Sequence, residues 1–593
     1  MKKRNRFEGE NKIMSILKQK RKLILVLFLL SCIFLSMNFV SAENNTAIND
    51  NSIKDNNIGT AGSNNQINNN SFNELNNMIN GDLNKTEVIL DKDYVYQYDY
   101  DVNFTEGIFI NRSLTIDGQG HTIDAKFKSR IFLINSSKVI LKNIIFINGA
   151  GMSSGALHFD NNSVGYIINS TFINNLAVDG GAIGQYENST LTIVNSSFIK
   201  NKGNNGAAIY CHNSSNTIQN SLFINNIVSG MSNGGAISYV WHSNCSIMNS
   251  TFINNSAIMY GGALFFSKYC KGVIVNSTFI NNNAETGGAI NFYDGGSNIV
   301  NSIFNHNSAS KKGGAIYFTK GSKNYINNSS FINNSAEKGG GIFYFDKTKG
   351  IVNNSIFIEN TAKYGGGIYY LNESSKSIVI NSVFIRNYAE NTCAMNCQNA
   401  RNCTIIRINP ILTANTITSF YNTAKYLTIT LKNHKYSPIN NTSISISINN
   451  VVKILKTDSK GQINIPTKNL IPNSYNVLIS FNGSDKYENK TIKSTILIKK
   501  ATLKITAKKK TFKKKNKNKK YTITLKDTNG NKISKTKVIL KIKGKTYKTR
   551  TNNGKATFKI TKLTKKGKYK GKITFKGNKY YNSADKYVKI IIK

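Results

Sequence analysis

Ten carboxylates lie between residues 140 and 400: Asp160, Asp179, Glu187, Glu285, Asp294, Glu337, Asp346, Glu359, Glu373 and Glu390. Two carboxylates held a few ångströms apart could protonate and displace at a glycosidic bond. Carboxylates gathered around Ca²⁺ beside a base could support elimination from a sugar chain. The ten are mostly solitary, however, and seldom recur at one position of the repeat described below, so the spacing supplies no stacked acid pair. His121, His158, His212, His242 and His306 also fall at differing positions without metal-ligand spacing, and each reads as a surface or turn residue. No nucleophile motif accompanies them. The expectation is therefore a protein that is not an enzyme and has no metal or cofactor, with a polysaccharide lyase or hydrolase as the alternative.

The elements that carry these side chains are copies of one phrase. NSTFINNSAIMYGGALFF at 249–266 returns as NSTFINNNAETGGAINFY at 276–293. Aligned on its Phe, the phrase marks Phe146, Phe172, Phe198, Phe223, Phe252, Phe279, Phe304, Phe331, Phe357 and Phe384, at spacings of 25 to 29 residues. Gly-Gly-Ala-Ile or a close variant follows at Gly180, Gly234, Gly261, Gly287 and Gly313, and Gly-Gly-Gly-Ile at Gly339 and Gly365. A regular period of this size marks a solenoid. Within each period apolar and polar residues alternate over short runs bounded by Gly, Asn and Ser, which predicts about three short strands joined by tight bends. The fold class is thus all-β: a parallel β-helix of ten or more coils, roughly 50 Å long at the spacing of stacked strands. One coil alone cannot bury its Phe and Ile or pair its backbone edges, so the phrase must be repeated to be stable. Asn at matched positions can form side-chain ladders between coils, and Gly-Gly allows a positive-φ bend close to the neighbouring backbone.

Phe-x-x-Asn followed by Gly-Gly-Ala-Ile resembles the repeat of the polymorphic outer-membrane protein family, and the resemblance implies a right-handed parallel β-helix. Nine periods carry the form, from Phe172-Ile-Asn-Asn175 to Phe384-Ile-Arg-Asn387; the first, Phe146-Ile-Asn-Gly149, departs from it. With its leader, Asn-rich lead, repeats and tail, nearly the whole chain resembles the adhesin-like surface proteins of methanogenic archaea. That implies an exported protein engaged in cell adhesion.

Residues 1–42 read as a signal peptide: basic Lys18–Lys22, then LILVLFLLSCIFLSMNFVSA with a candidate cleavage site at Val40-Ser41-Ala42. An uncleaved membrane anchor is the alternative. The end of the chain, KYVKIIIK, has neither a sorting motif nor an apolar tail, so the expected attachment there is noncovalent. Residues 43–70 are an Asn-rich lead expected to be disordered. Residues 71–404 are assigned to a capped β-helix. Ser71-Phe72-Asn73-Glu74 has the form of a capping box and places Phe72, Leu75, Met78 and Ile79 on one helical face that could seal the first coil. Beyond about residue 405 a second repeat begins: Thr457–Gly461 recurs at Thr551–Gly554, and Phe481–Tyr487 at Phe575–Tyr580. Two all-strand units of that length, 405–500 and 501–593, fit β-sandwiches and resemble bacterial Ig-like domains.

The last unit holds 32 Lys and Arg against two acids, Asp527 and Asp585, and so supplies about +30 of the net +48. Lys508, Lys509, Lys510, Lys513, Lys514 and Lys515 form its densest cluster, which should attract polyanions. The expected partners are surface glycans or cell-envelope polyanions and other cells. Nucleic acid ranks below them, and membrane contact is expected only through an uncleaved leader.

One column of the β-helix offers a ligand platform. The residue after the Ile of Gly-Gly-Ala-Ile should point outward if Ile points inward, and aromatic residues recur there as Tyr210, Phe265, Tyr317, Phe343 and Tyr369. The alternative is a ladder covered by a loop. Of the cysteines, Cys211 and Cys397 are too far apart to bridge, Cys245 and Cys270 lie on consecutive coils and are a candidate pair, and Cys393, Cys397 and Cys403 cluster where the repeat ends. The function that emerges is a secreted or cell-surface adhesin-like protein that binds through its β-helix flanks and is retained by its basic C-terminal domain. A structural envelope component is a further alternative.

Overall fold

In the computed structural model each period of the repeat becomes one coil of three strands. Residues 70–593 are described apart from 231–232, 320, 346, 372–376, 392–394, 397–399, 435 and 485, and the side chains of 395–396. The leader, almost all of the Asn-rich lead, Asp346, Glu373, Cys393 and Cys397 lie outside the described residues. The coils stack into three long parallel sheets. The first has 13 strands, from Glu87–Ile89 to Ala400–Arg401; the second has 13, from Tyr94–Val95 to Thr404–Ile406; the third has 12, from Ile108–Ile110 to Met395–Asn396.

Register explains why the phrase repeats so faithfully. Phe172 pairs with Phe198, Phe198 with Phe223, and Phe223 with Phe252, so like residues stack on like. The ten Phe of the second sheet are fully buried. From Phe172 to Phe384 their rings stack at 4.6 to 4.9 Å between centroids. A second internal ladder, Tyr239, Phe266, Phe292, Phe318, Tyr344 and Tyr370, lines the third sheet at 4.5 to 5.3 Å.

Polar residues are stacked with equal economy. The Asn of Phe-x-x-Asn is buried from Asn175 to Asn387. Asn282 is typical: its Nδ2 donates to the Phe252 carbonyl and to Asn307 Oδ1, each at 3.0 Å, while its Oδ1 accepts from Asn255 N and Nδ2, also at 3.0 Å. In the first period, where Gly149 replaces Asn, Gly149 N still donates to Asn175 Oδ1 at 2.8 Å. The bend before the third sheet needs its glycines. Gly287 has φ +64°, and a Cβ on Gly288 would lie 2.1 Å from the carbonyl oxygen of Gly314.

Preceding the stack, helix α1 spans Phe72–Asn80. Ser71 Oγ accepts from Glu74 N at 3.2 Å, but Glu74 pairs with Lys92 at 2.8 Å instead of closing a capping box. The fully buried Asp101 accepts from Phe72 N and Asn73 N at 3.0 and 2.8 Å, providing the orphan helix donors with a carboxylate. Phe72, Leu75 and Ile79 are buried in the same apolar cluster as the coils, with Met78 packed against it.

After residue 405 the pairing becomes largely antiparallel. Sheets of three and five strands share one core around Leu427, Ile429, Ile446, Ile479 and Ile496. The same strand order recurs around Tyr521, Leu525, Leu540, Phe558 and Ile573. Among the described residues no helix is long and apolar enough to cross a membrane.

Candidate functional site

The predicted aromatic platform is largely covered. Phe265, Tyr317 and Phe343 are buried, and Tyr210 and Tyr369 are half-buried, which corrects the expectation that these five stand exposed. They do leave the outer side of the third sheet, but the segment just before Gly-Gly folds over them. That segment forms short parallel sheets of its own, one of four strands from Ala150–Gly151 to Ile227–Val228 and one of five, Asn283–Thr286, Ser308–Lys312, Ser335–Lys338, Thr361–Tyr364 and Tyr388–Ala389. Tyr260 stacks on Phe265 at 6.0 Å, Lys312 Nζ lies 5.9 Å from the Tyr317 ring and 5.6 Å from that of Phe343, and Tyr364 meets Tyr369 at 6.1 Å. Burial pushes the Tyr210 and Tyr317 hydroxyls up to about 12.

The second of these short sheets accounts for several carboxylates. Its successive strands carry Glu285, Lys311, Glu337 and Lys363, alternating in sign, with Glu285 paired to Lys311 at 2.9 Å. Glu359 similarly pairs with Arg386 on the next coil at 3.1 Å. These acids brace neighbouring coils.

One group has the residue types of a hydrolase triad, which sequence reasoning missed. Ser154 Oγ is 3.0 Å from His158 Nδ1, and His158 Nε2 is 3.7 Å from Asp160 Oδ2. Ser154 is fully buried, and its hydroxyl donates to the Ser153 carbonyl. Tyr186 stacks on His158 at 4.8 Å and donates to the Ser153 carbonyl at 2.8 Å. Burial, with the Arg130 charge adding to it, lowers the His158 pKa to about 4. His158 is thus a packed residue, contrary to the surface placement expected for it.

Cys211, Cys245 and Cys270 are buried free thiols, which corrects the proposed Cys245–Cys270 bridge. Cys245 is in register with Gly272, and the Cys270 thiol donates to the Tyr239 carbonyl at 3.5 Å. Burial pushes the Cys245 thiol up to about 12.

The open chemistry of the rod lies at the turn from the third sheet to the first. Two adjoining grooves there have volumes of about 640 and 630 Å³ and share Asp294 and Gly321. The first is lined by His242, Tyr269, Lys271, Val273, Lys323 and a floor that includes Gly272, Gly295 and Gly296. The second is lined by Lys268, Tyr293, Tyr317, Thr319, Phe345 and Lys347, so one residue of the predicted column does reach it. Tyr269 and Tyr293 are 51% and 54% exposed. His242 stacks on Tyr269 at 5.0 Å, and Lys268 Nζ lies 4.8 Å from the Tyr269 ring. The signal in the sequence was faint: His242 and Tyr269 each follow the apolar residue after Gly-Gly-Ala by five positions, on consecutive coils. No group of three or more metal-ligating side chains occurs among the described residues.

In the C-terminal unit all six predicted lysines, Lys508, Lys509, Lys510, Lys513, Lys514 and Lys515, are exposed. They flank the short edge strand Lys510–Phe512 of the five-stranded sheet. A third groove, of about 400 Å³, opens elsewhere on that unit between Lys568, Tyr569, Lys570, Tyr587 and Lys589. Lys570 Nζ lies 4.7 Å from the exposed Tyr587 ring.

Compared with known proteins, residues 301–319 match the Chlamydia polymorphic membrane protein repeat, a stretch that contributes Tyr317 and Thr319 to the second groove. No curated protein matches the chain. Solved structures with local likeness include a 1.5-MDa bacterial ice-binding adhesin, at 14% identity over 32% of this chain and 67% of that one, with a TM-score of 0.16. Invasin, a bacterial integrin-binding protein, is 19% identical over 31% of this chain and 40% of its own, with a TM-score of 0.23. The fibronectin(III)-like modules of Clostridium thermocellum CbhA are 19% identical over 31% and 94%, with a TM-score of 0.14. Likenesses this slight do not bear on what the chain binds.

Proposed function

We propose that the chain is an exported, adhesin-like cell-surface protein whose coils hold binding grooves away from the cell and whose basic C-terminal unit keeps it at the envelope. The observation that carries this reading is the pair of exposed aromatic and basic grooves on one flank of an otherwise self-stacked rod. The match of one coil to a polymorphic membrane protein repeat supports a place at the surface. On this reading residues 1–42 are the secretory signal and 71–404 a right-handed β-helix, the hand that parallel crossover connections overwhelmingly take. Helix α1 is the N-terminal cap, covering apolar residues that a bare first coil would expose. Residues 405–500 and 501–593 are Ig-like domains of shared strand order, and six lysines at one edge of the second engage envelope polyanions. The protein holds ligands and does not transform them.

The test is antibody labelling of intact producing cells, with and without external protease, alongside attachment of a deletion strain to glycan-coated surfaces. Protease-sensitive labelling and weakened attachment are the expected results. Labelling that appears only after the cells are opened would overturn the reading.

A further inference from the structure

Resting on the surface-adhesin reading, we propose that the groove at Gly296 binds a chain of acidic sugars, a polyuronate, with its rings against Tyr269 and its carboxylates between Lys271 and Lys323. Parallel register places Lys271 beside Gly296, and Gly296 beside Lys323. The row of lysines on the outer face of the first sheet therefore has a notch one coil wide. A Cβ at Gly296 would meet only the Lys323 carbonyl oxygen, at 3.4 Å, so the space above the notch is open. Stacked strands lie about 4.8 Å apart, which sets the two lysine backbones roughly 10 Å apart, one on either side of the notch.

Charge and shape select the occupant. Lys268, Lys271, Lys323 and Lys347 are all exposed around the two grooves, while Asp294 is the single acid among the described residues that line them. Cations aligned this closely repel one another, and a bound polyanion relieves that repulsion while releasing its own counterions. At one end of the groove the half-exposed Tyr269 ring stacks on His242, with Lys268 Nζ 4.8 Å from its centroid, so an aromatic ring and a cation line the same wall. The C–H face of a pyranose is apolar with outward-pointing hydrogens and complements such a ring. A uronate chain also repeats its carboxylates on a step of the same order as the rungs, about 4.8 Å.

The experiment is calorimetric titration of the full chain with an oligogalacturonate, the matching neutral oligogalactose and a single-stranded DNA oligonucleotide. Gly296→Trp fills the notch from an open position, Tyr269→Ala removes the ring, and Lys271→Gln with Lys323→Gln removes the flanking charge; all three changes lie at the surface. A variant with Lys508, Lys509, Lys510, Lys513, Lys514 and Lys515 changed to Gln separates the tail from the groove. In the background of the tail variant, which removes the second polyanion site, the proposal expects the uronate to bind in preference to the other two, with at least a tenfold loss on adding each groove change. Uronate binding that survives Gly296→Trp but is lost with the tail lysines would overturn the proposal and leave the adhesin reading standing. Equal binding of the neutral chain or of DNA would overturn it as well, as would no binding by a protein that still labels intact cells and supports attachment. A protein absent from the cell surface would instead remove the reading on which the proposal rests.

Discussion

His158 is held neutral at physiological pH by its own packing. Its folded pKa of about 4 lies below the value of 6.5 for a free side chain, so between those two values the unfolded chain binds more protons than the folded one. Stability contributed by this residue is therefore constant above pH 6.5, falls as the pH drops toward 4, and levels off below it. The total loss is about 3 kcal/mol. Thermal melts at pH 7 and pH 4.5 should show a smaller acid-induced drop for His158→Gln than for the parent. Equal drops would mean that other groups control acid stability. The Asn ladder makes a second prediction at this scale. Asn282→Ala strands the Asn255 N–H and the Phe252 carbonyl in a dry interior, and a loss of roughly 2–4 kcal/mol should appear as a lower urea midpoint. These ladder residues were legible in the sequence because each recurs at a fixed place in the phrase. Tyr269, His242 and Gly296 were far less so. They occur at turns where composition varies from coil to coil, and their joint meaning depends on which turn lies over which strand.

At the scale of the coil, the period disclosed three strands and their register, because apolar alternation and a stacking requirement leave few other solutions. The roof over the third sheet was not legible. Its strands carry Ser, Lys and Glu and have no apolar signature, since what they bury is mostly small or polar, as are Ala284, Thr286, Ala309 and Ala362, and most other residues are half-buried or exposed. The platform of Tyr317 and Phe343 was accordingly expected to face solvent. Helix α1 was readable from its apolar face, but the carboxylate that caps it, Asp101, lies 29 residues from Phe72 and carries no local motif. Two glycines test the coil geometry. Gly288→Ala drives a Cβ against the Gly314 backbone and should cost about 1–3 kcal/mol. Gly296→Ala should be nearly silent. Hydrogen exchange across 283–316 should accelerate in the first variant alone, and acceleration in both would contradict the register.

For the molecule as a whole, the division of labour is between stacking and display. Phe, Asn, Ser and Gly recur because they bind one coil to the next, while variation falls on the turns, the outer faces and one inward column of the first sheet, where Leu191, Asn216, Cys245, Gly272, Ser297 and Asn324 stack in turn. On the proposed reading the basic unit contributes a separate, salt-dependent interaction. Its binding to an immobilised polyanion should weaken linearly on a log–log salt plot, and changing the six edge lysines to Gln should lower the slope by roughly one for each lysine that neutralises an anionic group of the ligand. An unchanged slope would place the binding surface elsewhere, with the groove beside Tyr587 the next site to test. The most direct test of the central claim is to incubate the full chain with a panel of surface polysaccharides and measure retained ligand and newly released reducing ends in the same sample. Retention without release is the predicted result, and the retention that persists when the six edge lysines are changed to Gln should be abolished by Gly296→Trp. Steady release of products would show that the coils carry chemistry, and would contradict the account.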